Sequence, residues 1–286
     1  MRLSMAAAAT VLYVQIPAYR DSELVPTLRS LYRNASHRQR IRVRVLWQHG
    51  PGESLPDDVM RLPGLEVEAM PAADSEGCNW ARRRLQAAWR GEPYTAFLDS
   101  HHRFARGWDE LAIGMLEALR ASGIRRPLLT AYLPPYRPDH PAKRGRMPYK
   151  IYPLQRESGV LTRLTAFPIR HWRSLDRPVA ADFLSLHFAL ADGRFNADVP
   201  MDPAIYFFGD EVLTGARAFT KGYRLFHPHR IIGWHAYDRA QRVTHWSDHS
   251  GNARRHRDSL TRLRRIYESS AVARYEAHIG LPLVLS

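Results

Sequence analysis

The segment Thr95-Ala-Phe-Leu-Asp99-Ser100-His101 runs an apolar stretch directly into a carboxylate and an imidazole. Residues i and i+2 of an extended chain project to the same side, so Asp99 and His101 can reach one divalent cation. Open α/β sheets bind ligands just beyond the carboxyl ends of their strands, which is where this Asp-x-His falls. One oxygen and one imidazole donor with open positions suit Mn²⁺ or Mg²⁺ bridging a diphosphate. The plainer reading of Asp99 is a carboxylate capping the loop that follows. His235, in Gly233-Trp234-His235-Ala236-Tyr237, ends a second short apolar run. With Asp99 and His101 it completes a three-ligand protein site that leaves room for phosphate oxygens and water; alone, it reads as structural.

Phe207-Phe208-Gly209-Asp210-Glu211 opens a helical pattern with two adjacent carboxylates. Acidic groups at a helix start favour the positive end of the helix dipole, and that is sufficient reason for the pair. The functional alternative is that Asp210 or Glu211 faces the cleft and orients sugar hydroxyls or the incoming nucleophile.

These residues need a scaffold, and the first half of the chain spells one out. Apolar strands at Val11 to Ile16, Ile41 to Gln48, Leu65 to Ala69 and Thr95 to Leu98 alternate with helical patterns at Glu23 to Arg33, Asn79 to Trp89 and Trp108 to Leu119. That alternation predicts βαβ units and a mainly parallel, Rossmann-like sheet. Tyr132 to Pro178 is rich in proline and predicts long loops framing a site, with one or two strands around Leu161 to Ile169. Phe183 to Leu190 predicts a strand, Glu211 to Thr220 a helix ending at Gly222, Tyr223 to Phe226 and Arg230 to His235 short strands, and Asp258 to Tyr267 an amphipathic, arginine-rich helix. The expected organisation is one domain over 1–286: a nucleotide-binding half at about 11–130, a sugar and acceptor half at about 131–246, and a basic helix at about 252–270.

No run of 18 uncharged apolar residues occurs, which excludes a membrane-spanning helix. Met1 to Val14 superficially resembles a short signal sequence, but its apolar part runs straight into Gln15 to Asp21 and reads better as the first buried strand. The single cysteine, Cys78, forms no intrachain disulfide, in keeping with a reducing cytoplasm. The net charge of +14 comes almost wholly from arginine, because lysine occurs only at Lys143, Lys150 and Lys221. Such a skew fits an anionic partner or a solvated surface equally well. A nucleic-acid-binding module, suggested by the arginines between Arg254 and Arg265, has no zinc-finger, RNA-recognition or helix-turn-helix pattern to support it.

Eight short pieces in order carry a resemblance: Ala18-Tyr-Arg-Asp21, Cys78-Asn-Trp-Ala-Arg82, Gly91-Glu-Pro-Tyr94, Leu98-Asp-Ser-His101, Gly107-Trp-Asp109, Val199-Pro-Met-Asp-Pro203, Phe208-Gly-Asp-Glu211 and Trp234-His-Ala-Tyr237. Over about Val11 to Trp246 the chain resembles the GlcNAc glycosyltransferase family related to cytoplasmic hydroxyproline GlcNAc-transferases of protists. The Asp-Ser-His and Gly-Asp-Glu pieces are also similar to polypeptide GalNAc-transferases. The resemblance implies a GT-A fold with a mixed central sheet, a UDP-sugar donor (UDP-GlcNAc), a divalent metal, a hydroxyl acceptor on protein, peptide or glycan, and retention of anomeric configuration. It implies that Asp99, His101 and His235 hold the metal. Pro17, Ala18, Tyr19, Arg20 and Asp21, with Arg82, Asp99 and Ser100, would face the uridine diphosphate, and Asp210 and Glu211 would sit by the donor sugar and acceptor. Two departures from the family pattern stand out: Asp210 at the first position of the acidic pair, and Leu184-Ser-Leu-His-Phe188 in place of a glycine-containing stretch near the sugar. A hydrolase splitting the nucleotide sugar with water is the rival reading within enzymes.

Overall fold

The computed structural model describes residues 11–238 and 242–285; residues 1–10, the greater part of the leader-like stretch, lie outside them. The chain opens with β1 (Leu12–Tyr19), α1 (Leu24–Asn34), β2 (Ile41–His49), α2 (Asp57–Met60), β3 (Leu65–Pro71), α3 (Cys78–Ala87) and β4 (Tyr94–Leu98). Then follow β5 (His102–Phe104), α4 (Trp108–Ala121) and β6 (Pro127–Thr130). Strands β4, β1, β2 and β3 pair in that order, all parallel, as the alternating pattern predicts. Side chains alternate across a strand, so Leu12, Val14, Ile16 and Ala18 of β1 enter the main core. On the opposite face the Tyr13 hydroxyl donates to the Leu85 carbonyl of α3 at 2.5 Å. Leu24, Leu28 and Leu31 of α1 and Ala112, Met115 and Leu119 of α4 recur at helical spacing and bury into the main core.

Gly107-Trp108-Asp109 is accounted for by packing. Trp108 is fully buried and its indole N–H donates to the Leu31 carbonyl, while the Asp109 carboxylate accepts the backbone N–H groups of Ser36 and His37.

The second half departs from a simple parallel sheet. It supplies β7 (Tyr136–Arg137), β8 (His140–Arg144), the hairpin β9 (Tyr149–Glu157) and β10 (Val160–Pro168), then β11 (Val179–Ala180), β12 (Phe188–Asp192) and α5 (Phe195–Asp198). It continues with α6 (Asp210–Thr220), β13 (Arg224–His227), β14 (Gly233–His235), α7 (His245–Asp248), α8 (Asn252–Tyr267) and α9 (Ala273–Ile279). Strand β12 inserts antiparallel between β4 and β6, giving an eight-stranded mixed sheet in the order β11-β13-β6-β12-β4-β1-β2-β3. The proline-rich middle is more ordered than its composition suggests, because β9 and β10 pair along their length and pack with α6, α8 and α9 in a second core.

The strand predicted over Phe183 to Leu190 begins only at Phe188. Before it, side chains replace the ladder: the Thr130 hydroxyl accepts the Ser185 N–H at 2.7 Å, and Glu211 accepts the Leu186 N–H at 2.9 Å. Gly209 is the residue that turns the chain into α6. Its φ of 91° is a left-handed conformation, and a Cβ there would run into the Leu263 side chain.

His227 ties the sheet to the hairpin. Its Nδ1–H donates to the Thr130 carbonyl at 2.9 Å, and Nε2 accepts the Ile151 N–H at 3.2 Å, which fixes the neutral ring. Burial lowers its pKa from 6.5 to about 4. The unfolded chain takes up this proton near 6.5 and the folded one only near 4, so this contribution is complete above about 6.5 and is lost as pH falls. The total is on the order of 3 kcal/mol. We expect His227→Gln to flatten the pH dependence of unfolding free energy between pH 6.5 and 4 by up to one proton; chemical denaturation at stepped pH measures it, and an unchanged slope would exclude the assignment.

Candidate active site

A cleft of about 400 Å³ opens beyond the carboxyl end of β4. Asp99 follows the last residue of that strand, and three elements bring histidines to it. His101 sits in the same turn. His235 arrives on β14, which pairs antiparallel with β5 so that His235 faces His102. His187 arrives just ahead of β12: Phe188 pairs antiparallel with Leu98, so the residue before it lies beside Asp99. The Nε2 atoms of His235, His101 and His187 stand 3.2, 3.7 and 3.9 Å from Asp99 Oδ2.

Asp99, His187 and His235 each offer a ligand atom, and these atoms lie within 4.8 Å of one another. The expected pair Asp99 and His235 is therefore joined by a residue the sequence reading named only as part of a departure. His101 turns Nδ1 to Asp21 Oδ2 at 2.7 Å. Asp21 also accepts the Ser100 hydroxyl at 2.6 Å, and although burial opposes its charge, these bonds hold its pKa below the usual carboxylate value. Asp21 and Ser100 thus orient His101, and both line the cleft with Pro17 and Tyr19. Ala18 is buried in the core instead. Arg20 pairs with Asp248 at 2.8 Å and, with φ at 43°, bends the chain sharply at the end of β1.

On the other side of Asp99 lies Arg82, placed by α3. Its guanidinium donates to Asp210 Oδ2 at 2.6 Å and to Asp99 Oδ1 at 3.3 Å. Glu211 accepts three bonds: from the Ser185 hydroxyl at 2.8 Å, the Leu186 N–H at 2.9 Å and the Tyr132 hydroxyl at 2.8 Å. Burial opposes charge on Asp99, but the His235 hydrogen bond and the positive charge of His187, His101 and Arg82 hold its pKa well below the usual value. Burial raises Asp210 to about 7, Arg82 pulling it down and Glu211 pushing it up. Glu211 is raised by burial against its three donors. The rim is aromatic, with Tyr206, Phe207, Phe208, Tyr237 and Trp246. His245 crosses this rim, its Nδ1 meeting the Tyr206 hydroxyl at 2.5 Å.

The arrangement holds positive potential from Arg82 beside a carboxylate and imidazole cluster able to bind a divalent ion, within an aromatic-walled cleft. Spacing alone could not have found His187, Ser185 or Tyr132, because the antiparallel insertion of β12 brings the first two here. Among the described residues no helix is long and apolar enough to cross a membrane.

Breaking one partner of a buried ion network leaves uncompensated charge, at a cost of about 3–5 kcal/mol. We expect Arg82→Ala to lower unfolding free energy by about that much, and Arg82→Lys by less. Urea denaturation checks this; a loss under about 1 kcal/mol for Arg82→Ala would show that the carboxylates find other partners.

The fold has relatives. The family described as Glycosyltransferase (GlcNAc) matches residues 11–63 and 57–280. No curated protein matches significantly. Among solved structures, S. aureus TarS 1-349 is 12% identical with a TM-score of 0.55, over 79% of this chain and 60% of its own. GalNAc-T7, solved with UDP, GalNAc and Mn²⁺, is 13% identical with a TM-score of 0.62, over 82% of this chain and 45% of its own. The mannosyltransferase PcManGT from Pyrobaculum calidifontis, in complex with GDP-Man and Mn²⁺, is 12% identical with a TM-score of 0.51, over 82% of this chain and 59% of its own. At such identities the likeness speaks for the fold alone. With the family matching most of its length, the chain belongs to the Glycosyltransferase (GlcNAc) family and has the GT-A fold.

Proposed function

We propose that the chain is a metal-dependent, retaining glycosyltransferase that moves N-acetylglucosamine from a UDP donor to a hydroxyl group on a protein, peptide or glycan. The observation that carries this is the convergence of Asp99, His187, His235 and the Arg82 guanidinium at the strand end that opens into one cleft. Family membership favours GlcNAc, and S. aureus TarS 1-349 has also been solved in complex with UDP-GlcNAc.

The residues fit a divalent cation. One carboxylate and two imidazoles lie within coordinating reach of one another, and the buried Nδ1 of His235 has no hydrogen-bond partner among the described residues. Asp99 and His235, with His101 or His187, would hold Mn²⁺ or Mg²⁺. Bound there, the ion would supply Lewis-acid stabilisation of a diphosphate. Arg82 adds a fixed positive charge on the same side, which favours the transition state as negative charge grows on the leaving diphosphate. Tyr19, Asp21 and Ser100 line the wall expected to face the nucleotide.

Neither acidic residue of the pair stands free to act as a base. Asp210 is engaged by Arg82 and Glu211 by three donors, so both are suited to positioning donor and acceptor. A retaining reaction needs no dedicated base when a phosphate oxygen on the attacked face takes the acceptor proton, and this arrangement supports that reading.

Asp99→Ala should lower kcat/KM for UDP release by about a thousandfold or more, equivalent to about 4 kcal/mol. Exhaustive chelation should silence the wild-type enzyme, and full activity after metal removal confirmed by elemental analysis would end the metal-dependent reading. Product analysis with and without acceptors separates transfer from hydrolysis.

Glu211→Gln places an amide N–H₂ against one of the donors Glu211 now accepts. We expect kcat/KM to fall about ten- to a thousandfold, or about 1.4–4 kcal/mol, with about 1–3 kcal/mol lost in stability. Melting temperature and single-turnover rate on one preparation decide the matter: a variant that melts earlier yet transfers normally makes Glu211 purely structural.

A further inference from the structure

His187 sits where a third protein donor would be needed. Its ring lies flat between Tyr132, with centroids 4.5 Å apart at 10°, and His235, 4.4 Å apart at 3°. The stack fixes the plane of the ring, and the register of β12 against β4 fixes its height beside Asp99. Its Nε2 is 3.9 Å from Asp99 Oδ2, and with His235 it completes a set of ligand atoms within 4.8 Å. His101 meets Asp21 through Nδ1 at 2.7 Å and keeps Nε2 at 3.7 Å from Asp99 Oδ2.

We propose that His187 is a direct ligand of the cation, so that this chain grips it through one carboxylate and at least two imidazoles, Asp99, His235 and His187. This inference rests on the metal-dependent reading above. Imidazole donors suit zinc, cobalt and nickel, whereas oxygen donors suit magnesium and manganese. Any site of nitrogen and oxygen donors binds Co²⁺ or Zn²⁺ more tightly than Mn²⁺, and each imidazole added widens that gap, so His187 raises affinity for Co²⁺ or Zn²⁺ more than for Mn²⁺ or Mg²⁺.

The test is equilibrium dialysis of Co²⁺ and Mn²⁺ with the metal-stripped wild-type chain and with His187→Gln and His187→Phe, the latter keeping a flat ring against Tyr132. His235→Gln serves as the reference for loss of a ligand, and circular dichroism checks folding. Loss of an outer-shell partner already costs 10–100-fold in metal affinity, so loss of a ligand should weaken Co²⁺ binding by about 100-fold or more and change its visible ligand-field spectrum. Mn²⁺ affinity should fall less. Unchanged Co²⁺ affinity and spectrum in both folded variants would overturn the role of His187 and leave metal dependence standing. A wild-type chain that binds neither ion would overturn both. Anomalous diffraction from cobalt-loaded wild-type crystals reads the same point without a variant: a cation bonded to a His187 nitrogen at about 2.1 Å supports the assignment, and one held without that bond overturns it.

Discussion

The Arg82 guanidinium is 7% exposed and lies between Asp210 at 2.6 Å and Asp99 at 3.3 Å, with Glu211 next in the chain to Asp210. Removing such charges from water costs several kcal/mol per ion, and mutual attraction in the interior offsets this only when each group has partners. Three elements are therefore bound into one geometry: α3 contributes the cation, the exit of β4 the first carboxylate, and the start of α6 the second. Separating any one would strand a buried charge. The cleft's shape follows from that requirement, because the same contact that satisfies Arg82 sets the distance between the metal-binding side and the acidic pair.

Glu211 extends the constraint into the sheet. By accepting the Ser185 hydroxyl and Leu186 N–H it supplies partners to backbone that lies just before β12 and outside its ladder. That segment then delivers His187 beside Asp99. A carboxylate that looks like a dipole-complementing group at a helix start is thus also what shapes the chain ahead of a candidate ligand. The closing segment completes the enclosure from the far side: the Tyr19 hydroxyl donates to Asp248 at 2.7 Å, and Arg20 pairs with the same carboxylate, joining the end of β1 to α7.

Physical chemistry separates the roles of the short pieces that carry the family resemblance. Gly107-Trp108-Asp109 anchors α4 to α1 and the loop after it, and the Glu92 of Gly91-Glu-Pro-Tyr94 accepts the buried Arg42 Nε at 2.5 Å. Neither touches the cleft. Asn79, beside the cleft-lining Cys78, donates to the Ile205 carbonyl and so fixes the approach to α6. A family pattern therefore mixes residues that build the sheet with residues that face the ligand, and only burial and partners distinguish them.

The sequence by itself determined the parallel half of the sheet and the placement of Asp99. Local alternation of apolar strands and amphipathic helices is read from neighbours in the chain, and an Asp-x-His at the end of a strand is a local feature too. It also pointed to His235, Arg82 and the Asp210–Glu211 pair, although as separate features without distances. Only the tertiary structure decided that β12 runs antiparallel between β4 and β6, since strand order depends on pairing between residues almost a hundred positions apart. That one choice of pairing brings His187, Ser185 and Leu186 to the site. It is invisible locally because a strand's own residues encode its two faces, while its neighbours are set by which edges remain free when the whole core closes.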